Sequence, residues 1–157
     1  MTLSRAITVV AAAMMLLPVS ALAQGQEKKV KRSDLPPAVE KTVVEQSQGA
    51  TIRGFSQEQE NGQTFYEAEL MVNGHTKDVL MDVAGAVVEV EEQIPTESLS
   101  HAVRAGLQAK AGNGKIVKVE SLTKKGKLVA YEAKVLTSGR KSEVQVGSDG
   151  KPLDHEE

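Results

Sequence analysis

The chain has 157 residues, no cysteine, no tryptophan, two Phe and two Tyr, and a formal net charge of −2. Without cysteine there is no disulfide scaffold, no zinc–thiolate centre and no thiol nucleophile. So few aromatic rings leave a core of Val, Leu, Ile, Ala and Met, and little of the stacking surface that single-stranded nucleic acid uses.

In chain order, the first element is a segment that reads as a secretory signal, residues 1–23. Arg5 supplies the positive start, Ala6 to Leu17 an apolar stretch, and Ala21-Leu22-Ala23 the small-residue cleavage pattern before Gln24. The apolar run is about a dozen residues, whereas a spanning helix needs about 20. The expectation is therefore cleavage after Ala23, a periplasmic or secreted mature protein, and no membrane span after cleavage. Residues 24–32 carry four basic residues and one acidic one with no apolar periodicity, and read as a disordered basic linker. Charge then changes sign along the chain. Ser33 to Ile94 has 3 basic and 12 acidic residues, and Pro95 to Glu157 has 11 and 8.

An internal repeat organises the rest. Leu35, Val39 and Val43 recur 64 positions later as Leu99, Val103 and Leu107, and Ile52 recurs as Ile116. After one inserted residue, Tyr66-Glu67-Ala68-Glu69-Leu70 matches Tyr131-Glu132-Ala133-Lys134-Val135 at a shift of 65. Gly74, Val79, Met81 and Gly85 match Gly139, Val144, Val146 and Gly150 at the same shift.

Within each copy, apolar residues four apart predict a helix, with Ser33 or Asp34 capping the first and Thr96 or Ser98 the second. Gly49 and Gly112 mark the ends. The period then switches to two. Tyr66, Ala68, Leu70 and Val72 alternate with Glu67, Glu69 and Met71, and Asn73-Gly74 sits before the next alternating run as a two-residue hairpin turn. The expected fold is α+β: two tandem repeats, 33–94 and 95–157, each one helix followed by a four-stranded antiparallel sheet.

The Leu-x-x-Ala-Val helix starts at Leu35 and Leu99, the Tyr-Glu-Ala strands at Tyr66 and Tyr131, and the Asp82-x-x-Gly85 turn resemble the PepSY-like family in its tandem-repeat form. That form is similar in architecture to the β-lactamase-inhibitor protein. The resemblance implies an exported module, found in metallopeptidase propeptides and as stand-alone periplasmic proteins, that binds and restrains other proteins. It brings no catalytic residue, and it suggests a peptidase-type target. No peptidase domain is attached here, and the cysteines of the β-lactamase inhibitor are missing.

Enzyme signatures are missing as well: there is no Gly-x-Ser-x-Gly, no phosphate loop and no His-Glu-x-x-His. His75, His101 and His155 are scattered. Glu89, Glu91 and Glu92 read as a solvated strand face rather than a calcium site, which needs six or more oxygens. Lys124, Lys125 and Lys127 read as a solvated basic turn. No catalytic site, metal or cofactor is expected, and no nucleic-acid partner. What remains is the sheet face turned away from the helix. Phe65, Met71, Leu80 and Leu136 would form an apolar strip there among Glu67, Glu69, Glu132 and Lys134. Such a strip marks either a surface for an exported protein partner or the contact between the two copies. A non-enzymatic binding module, inhibitor-like, is the first reading. The second is a structural or cation-sensing envelope protein that associates with itself.

Overall fold

The computed structural model describes residues 27–155 and 157; the signal segment, its cleavage site and Gln24 to Gln26 lie outside them. The elements run β1 (Lys28–Lys29), α1 (Pro37–Gln46), β2 (Thr51–Glu60), β3 (Gln63–Val72), β4 (His75–Asp82), β5 (Val87–Gln93), α2 (His101–Ala111), β6 (Lys115–Lys124), β7 (Lys127–Thr137) and β8 (Arg140–Gly147). Short 3-10 turns at Arg32–Asp34 and Thr96–Ser98 precede the helices.

All eight strands belong to one antiparallel sheet in sequential order. This corrects the expected pair of helix-plus-four-strand repeats: the described residues are mostly β, one sheet with two helices. Two causes are visible. The edge of β5 would carry unpaired N–H and C=O groups, and β6 takes them up, from Glu89↔Lys124 to Gln93↔Glu120. The second copy also has only three strands. After Gly147 the chain turns at Asp149-Gly150, Gly147 N–H donates to Lys151 O at 2.8 Å, and Pro152 has no N–H to offer a further ladder.

Four hairpins close on pairs of positive-φ residues, which suits the right-handed twist of the strands they join: Asn61-Gly62, Asn73-Gly74, Lys125-Gly126 and Ser138-Gly139. The caps fall later than the sequence suggests. Pro36 and Pro37 open α1, and Ser100, not Thr96 or Ser98, accepts the Val103 N–H at 3.2 Å to cap α2.

Register puts both helices on the same face. Val39 and Val43 of α1 pack with Leu35, Phe55, Ala68, Leu70, Val79 and Met81. Val103 and Leu107 of α2 pack with Leu99, Val119, Ala133, Val135 and Val146. These side chains alternate along the strands with residues of the opposite face, so neither described helix covers that face.

The basic segment before the first helix also departs from expectation. Lys28 and Lys29 pair with Gln57 and Ser56 as an edge strand, and Val30 N–H donates to Phe55 O at 3.0 Å. Val30 packs on the first core cluster, and Lys29 forms an ion pair with Glu69. Burial of one valine and charge pairing supply the ordering that composition alone does not predict. At the other end, Glu157 N–H donates to Gln145 Oε1 at 2.9 Å, and its carboxylate lies 3.5 Å from Lys124 Nζ. The tail thus spans from β8 to β6 across one end of the helix-free face.

Candidate functional site

Antiparallel register assembles the helix-free face into rows that cross the sheet. One row reads Lys29, Ser56, Glu67, Leu80, Glu89, Lys124. The next reads Gly54, Glu69, Asp78, Glu91, Leu122, Ala130, Gly147. A third carries Glu120, Glu132 and Gln145. Carboxylates occupy the middle of the face, and lysines hold the ends of the first row.

Between these rows lies a pocket of about 280 Å³ lined by Glu58, Glu67, Asp78, Leu80, Glu89, Glu91 and Lys134. Five carboxylates therefore share a small concavity. Among the described residues, Lys134 is the one cation and Leu80 the one apolar side chain in its wall. Burial, reinforced by the neighbouring charges of Asp78 and Glu58, pushes Glu67 up to about 8. Burial, with Glu132 and Glu120 beside it, pushes Glu91 up to about 8. Burial likewise raises Glu58, Asp78 and Glu89, although Lys124 works against the shift at Glu89.

Beside the pocket sits a buried ion network. Glu120 is 1% exposed, and its Oε1 lies 2.5 Å from Lys118 Nζ. Its Oε2 lies 3.4 Å from Lys134 Nζ but accepts no hydrogen bond. Burial opposes the charge on Lys134, and Glu120 and Glu143 outweigh it, so its pKa rises to about 12. Lys118 Nζ also donates to Thr76 Oγ1 at 3.1 Å. Carboxylate oxygens of Asp78, Glu91 and Glu120 lie within 4.8 Å of one another, close enough for a metal ion, yet two ammonium groups already neutralise Glu120.

The residues singled out from the sequence all map to the helix-free face, in different rows. Leu80 and Glu67 stand opposite each other within the pocket. Phe65 lies one row away, between Glu58 and Asp82, and Met71 at the far side, between Thr51 and Thr76. Leu136 sits between Lys115 and Lys141, 37% exposed. Glu69 is paired with Lys29, Glu132 accepts from Gln145 Nε2 at 2.9 Å, and Lys134 joins Glu120 and Glu143. Acidic side chains of β3, β4 and β5 separate the apolar ones. Sequence reading missed Glu58, Asp78, Glu120, Lys118 and Ser56. It also placed Glu89 and Glu91 in solvent, where they are half-buried. The one available signal was the Val-Glu-Val-Glu alternation of β5, which puts Glu89 and Glu91 on a single face.

None of the described helices is long and apolar enough to cross a membrane. No protein-family model matches the chain, and no curated protein does. Solved structures do match its fold. A DUF2874 family protein from Bacteroides ovatus is 21% identical with a TM-score of 0.59, covering 76% of this chain and 85% of its own. A BLIP-like protein from Bacteroides fragilis is 20% identical with a TM-score of 0.56, covering 76% and 83%. A provisionally periplasmic protein from Bacteroides eggerthii is 16% identical with a TM-score of 0.61, covering 76% and 86%. The architecture is thus that of the DUF2874 and BLIP-like structures.

Proposed function

We propose that this is an exported, non-enzymatic binding module that holds another exported protein against the helix-free face of its sheet. The observation that carries this reading is a crowd of acidic groups without cation partners. Glu58, Glu67, Asp78 and Glu91 share the pocket, and among the described residues none of them has an ion-pair partner within 4.0 Å. Crowding carboxylates in a half-buried concavity makes ionising them costly, and folds keep such local conflicts where a site is built. Export is supported by the signal-like segment and by the provisionally periplasmic protein of the same fold. The PepSY-like resemblance and the BLIP-like fold support inhibition of a secreted or periplasmic protein, a peptidase being the suggested class, as the form the binding takes.

Site-resolved crosslinking tests it. A photoreactive residue at Leu80 or Met71, on the helix-free face, is compared with one at Glu45 on α1, using mature protein in its native envelope fraction. Crosslinks to another protein from Leu80 or Met71 alone are the expected result. Crosslinks confined to Glu45, or none at all, overturn the reading.

The close approach of Asp78, Glu91 and Glu120 oxygens favours a second reading, cation-dependent self-association. It predicts that oligomer size rises with calcium at fixed ionic strength.

A further inference from the structure

We propose that the pocket between β3, β4 and β5 is an anchor site for one arginine side chain of the bound partner, its guanidinium among Glu67, Asp78 and Glu91 and its stem against Leu80. The inference rests on the binding-module reading and names the chemistry the partner must present.

Three features of the pocket carry it. Its wall is five carboxylates, a leucine and one ammonium, Lys134, so acidic groups outnumber the resident cation five to one, which matches a further cation on an aliphatic stem; its volume of about 280 Å³ suits a side chain rather than a folded element. Two buried polar atoms without hydrogen-bond partners flank it. Ser56 Oγ belongs to a fully buried residue that stands opposite Glu67 in register. Glu120 Oε2, 3.4 Å from Lys134 Nζ yet without a hydrogen bond, belongs to a residue 1% exposed whose carboxylate lies within 4.8 Å of those of Asp78 and Glu91. Buried acceptors left unsatisfied cost stability until a donor reaches them. A guanidinium has five donors in a planar fork, stays charged at every relevant pH and is weakly hydrated, so it serves several half-buried carboxylates better than an ammonium. A calcium ion takes six or more oxygens about one point, and the close cluster here offers three carboxyl groups, Asp78, Glu91 and Glu120.

Charge state supports the same assignment. Burial and neighbouring carboxylates raise Glu67 and Glu91 to about 8, so the pocket by itself favours their protons over their charges. An arriving guanidinium favours the ionised forms and displaces those protons.

The test uses the mature chain and a capped Ala-Ala-Arg-Ala-Ala peptide. Comparators are the citrulline peptide, which keeps the shape and loses the charge, and calcium chloride. The readout is NMR: the Leu80 methyl groups and the side-chain carboxyl carbons of Glu67 and Glu91. Saturable shifts at these nuclei are expected with the arginine peptide, with affinity at least about tenfold weaker for citrulline, a difference of about 1.4 kcal/mol. The E67Q/E91Q double variant should lose about the same factor. Glutamine keeps the shape and the neutral form of the buried carboxyl, so the fold should survive, and circular dichroism checks this. Equal response to arginine and citrulline overturns the proposal, as do shifts confined to other residues or calcium saturating the site ahead of the peptide. If the peptide fails while Leu80 still crosslinks to a partner, the arginine anchor alone is wrong. If both fail, the binding-module reading falls with it.

Discussion

Gly85 lies directly against the backbone of Ala38: a Cβ at Gly85 would stand 2.4 Å from the Ala38 carbonyl oxygen. The same contact recurs in the second half, where a Cβ on Gly150 would meet Ala102 O at 2.4 Å. In each half a tight turn after a strand carries a glycine at φ near +80° into the helix it packs under. Thr42 Oγ1 completes the first clamp by donating to Gly85 O at 2.6 Å. These two glycines therefore fix the distance between each helix and the sheet.

The clamp gives the first prediction. G85A adds a side chain where the backbone is left-handed and the nearest atom is a carbonyl that cannot yield. A destabilisation of at least about 2 kcal/mol is expected. G62A shares the left-handed conformation, at φ +77°, but has nothing within 4 Å of its Cβ position, and should cost about 1 kcal/mol. Urea denaturation of the two variants side by side checks the difference. Equal losses would mean that the contact with Ala38 contributes nothing beyond backbone strain.

A second prediction concerns Lys118 and Glu120. K118M removes the ammonium 2.5 Å from a carboxylate that is 1% exposed, leaving only Lys134 at 3.4 Å to compensate it. Removing one partner of a buried pair leaves a charge with its desolvation unrepaid, and a loss of about 2 kcal/mol is expected. The double variant K118M/E120L takes away the stranded charge as well and should recover most of that loss. A double variant no more stable than K118M would show that Glu120 is adequately solvated in the folded protein.

The contrast between these sites explains what could be read from the sequence. The clamp and the hairpins were legible because glycine at a turn is a local requirement. Gly85 and Gly150 align in the repeat, and Asn73-Gly74 announces its own turn. Alternation in β3 placed Glu67, Glu69 and Met71 on one face and Ala68 and Leu70 on the other. The joining of β5 to β6 was not legible, because α2 intervenes and pairing across a helix is a tertiary choice. That one pairing turns the expected two small sheets into one. It also brings Lys134 of β7 to the pocket, whose other walls, Glu67, Leu80 and Glu89 among them, are set in one row by register within the first half. The solvated reading of Glu89 and Glu91 failed for the same reason, since a strand with neighbours on both sides buries what an edge strand would expose.

The pocket carboxylates give the last prediction, a pH dependence with a definite sign. Glu67 and Glu91 have folded-state values near 8 against an ordinary 4.5. Between those two pH values the folded protein binds more protons than the unfolded chain, so stability must fall as pH rises. The contribution is fully present below about pH 4.5 and is lost as pH climbs through 8. The melting temperature of the wild type should therefore decline from pH 5 to pH 9. The E67Q and E91Q variants, which cannot ionise, should each flatten that decline and melt higher than wild type at pH 9. Differential scanning calorimetry across this range decides it. A flat wild-type profile would mean that the pocket carboxylates ionise as freely as surface ones, and that the face is neither crowded nor in need of a cation.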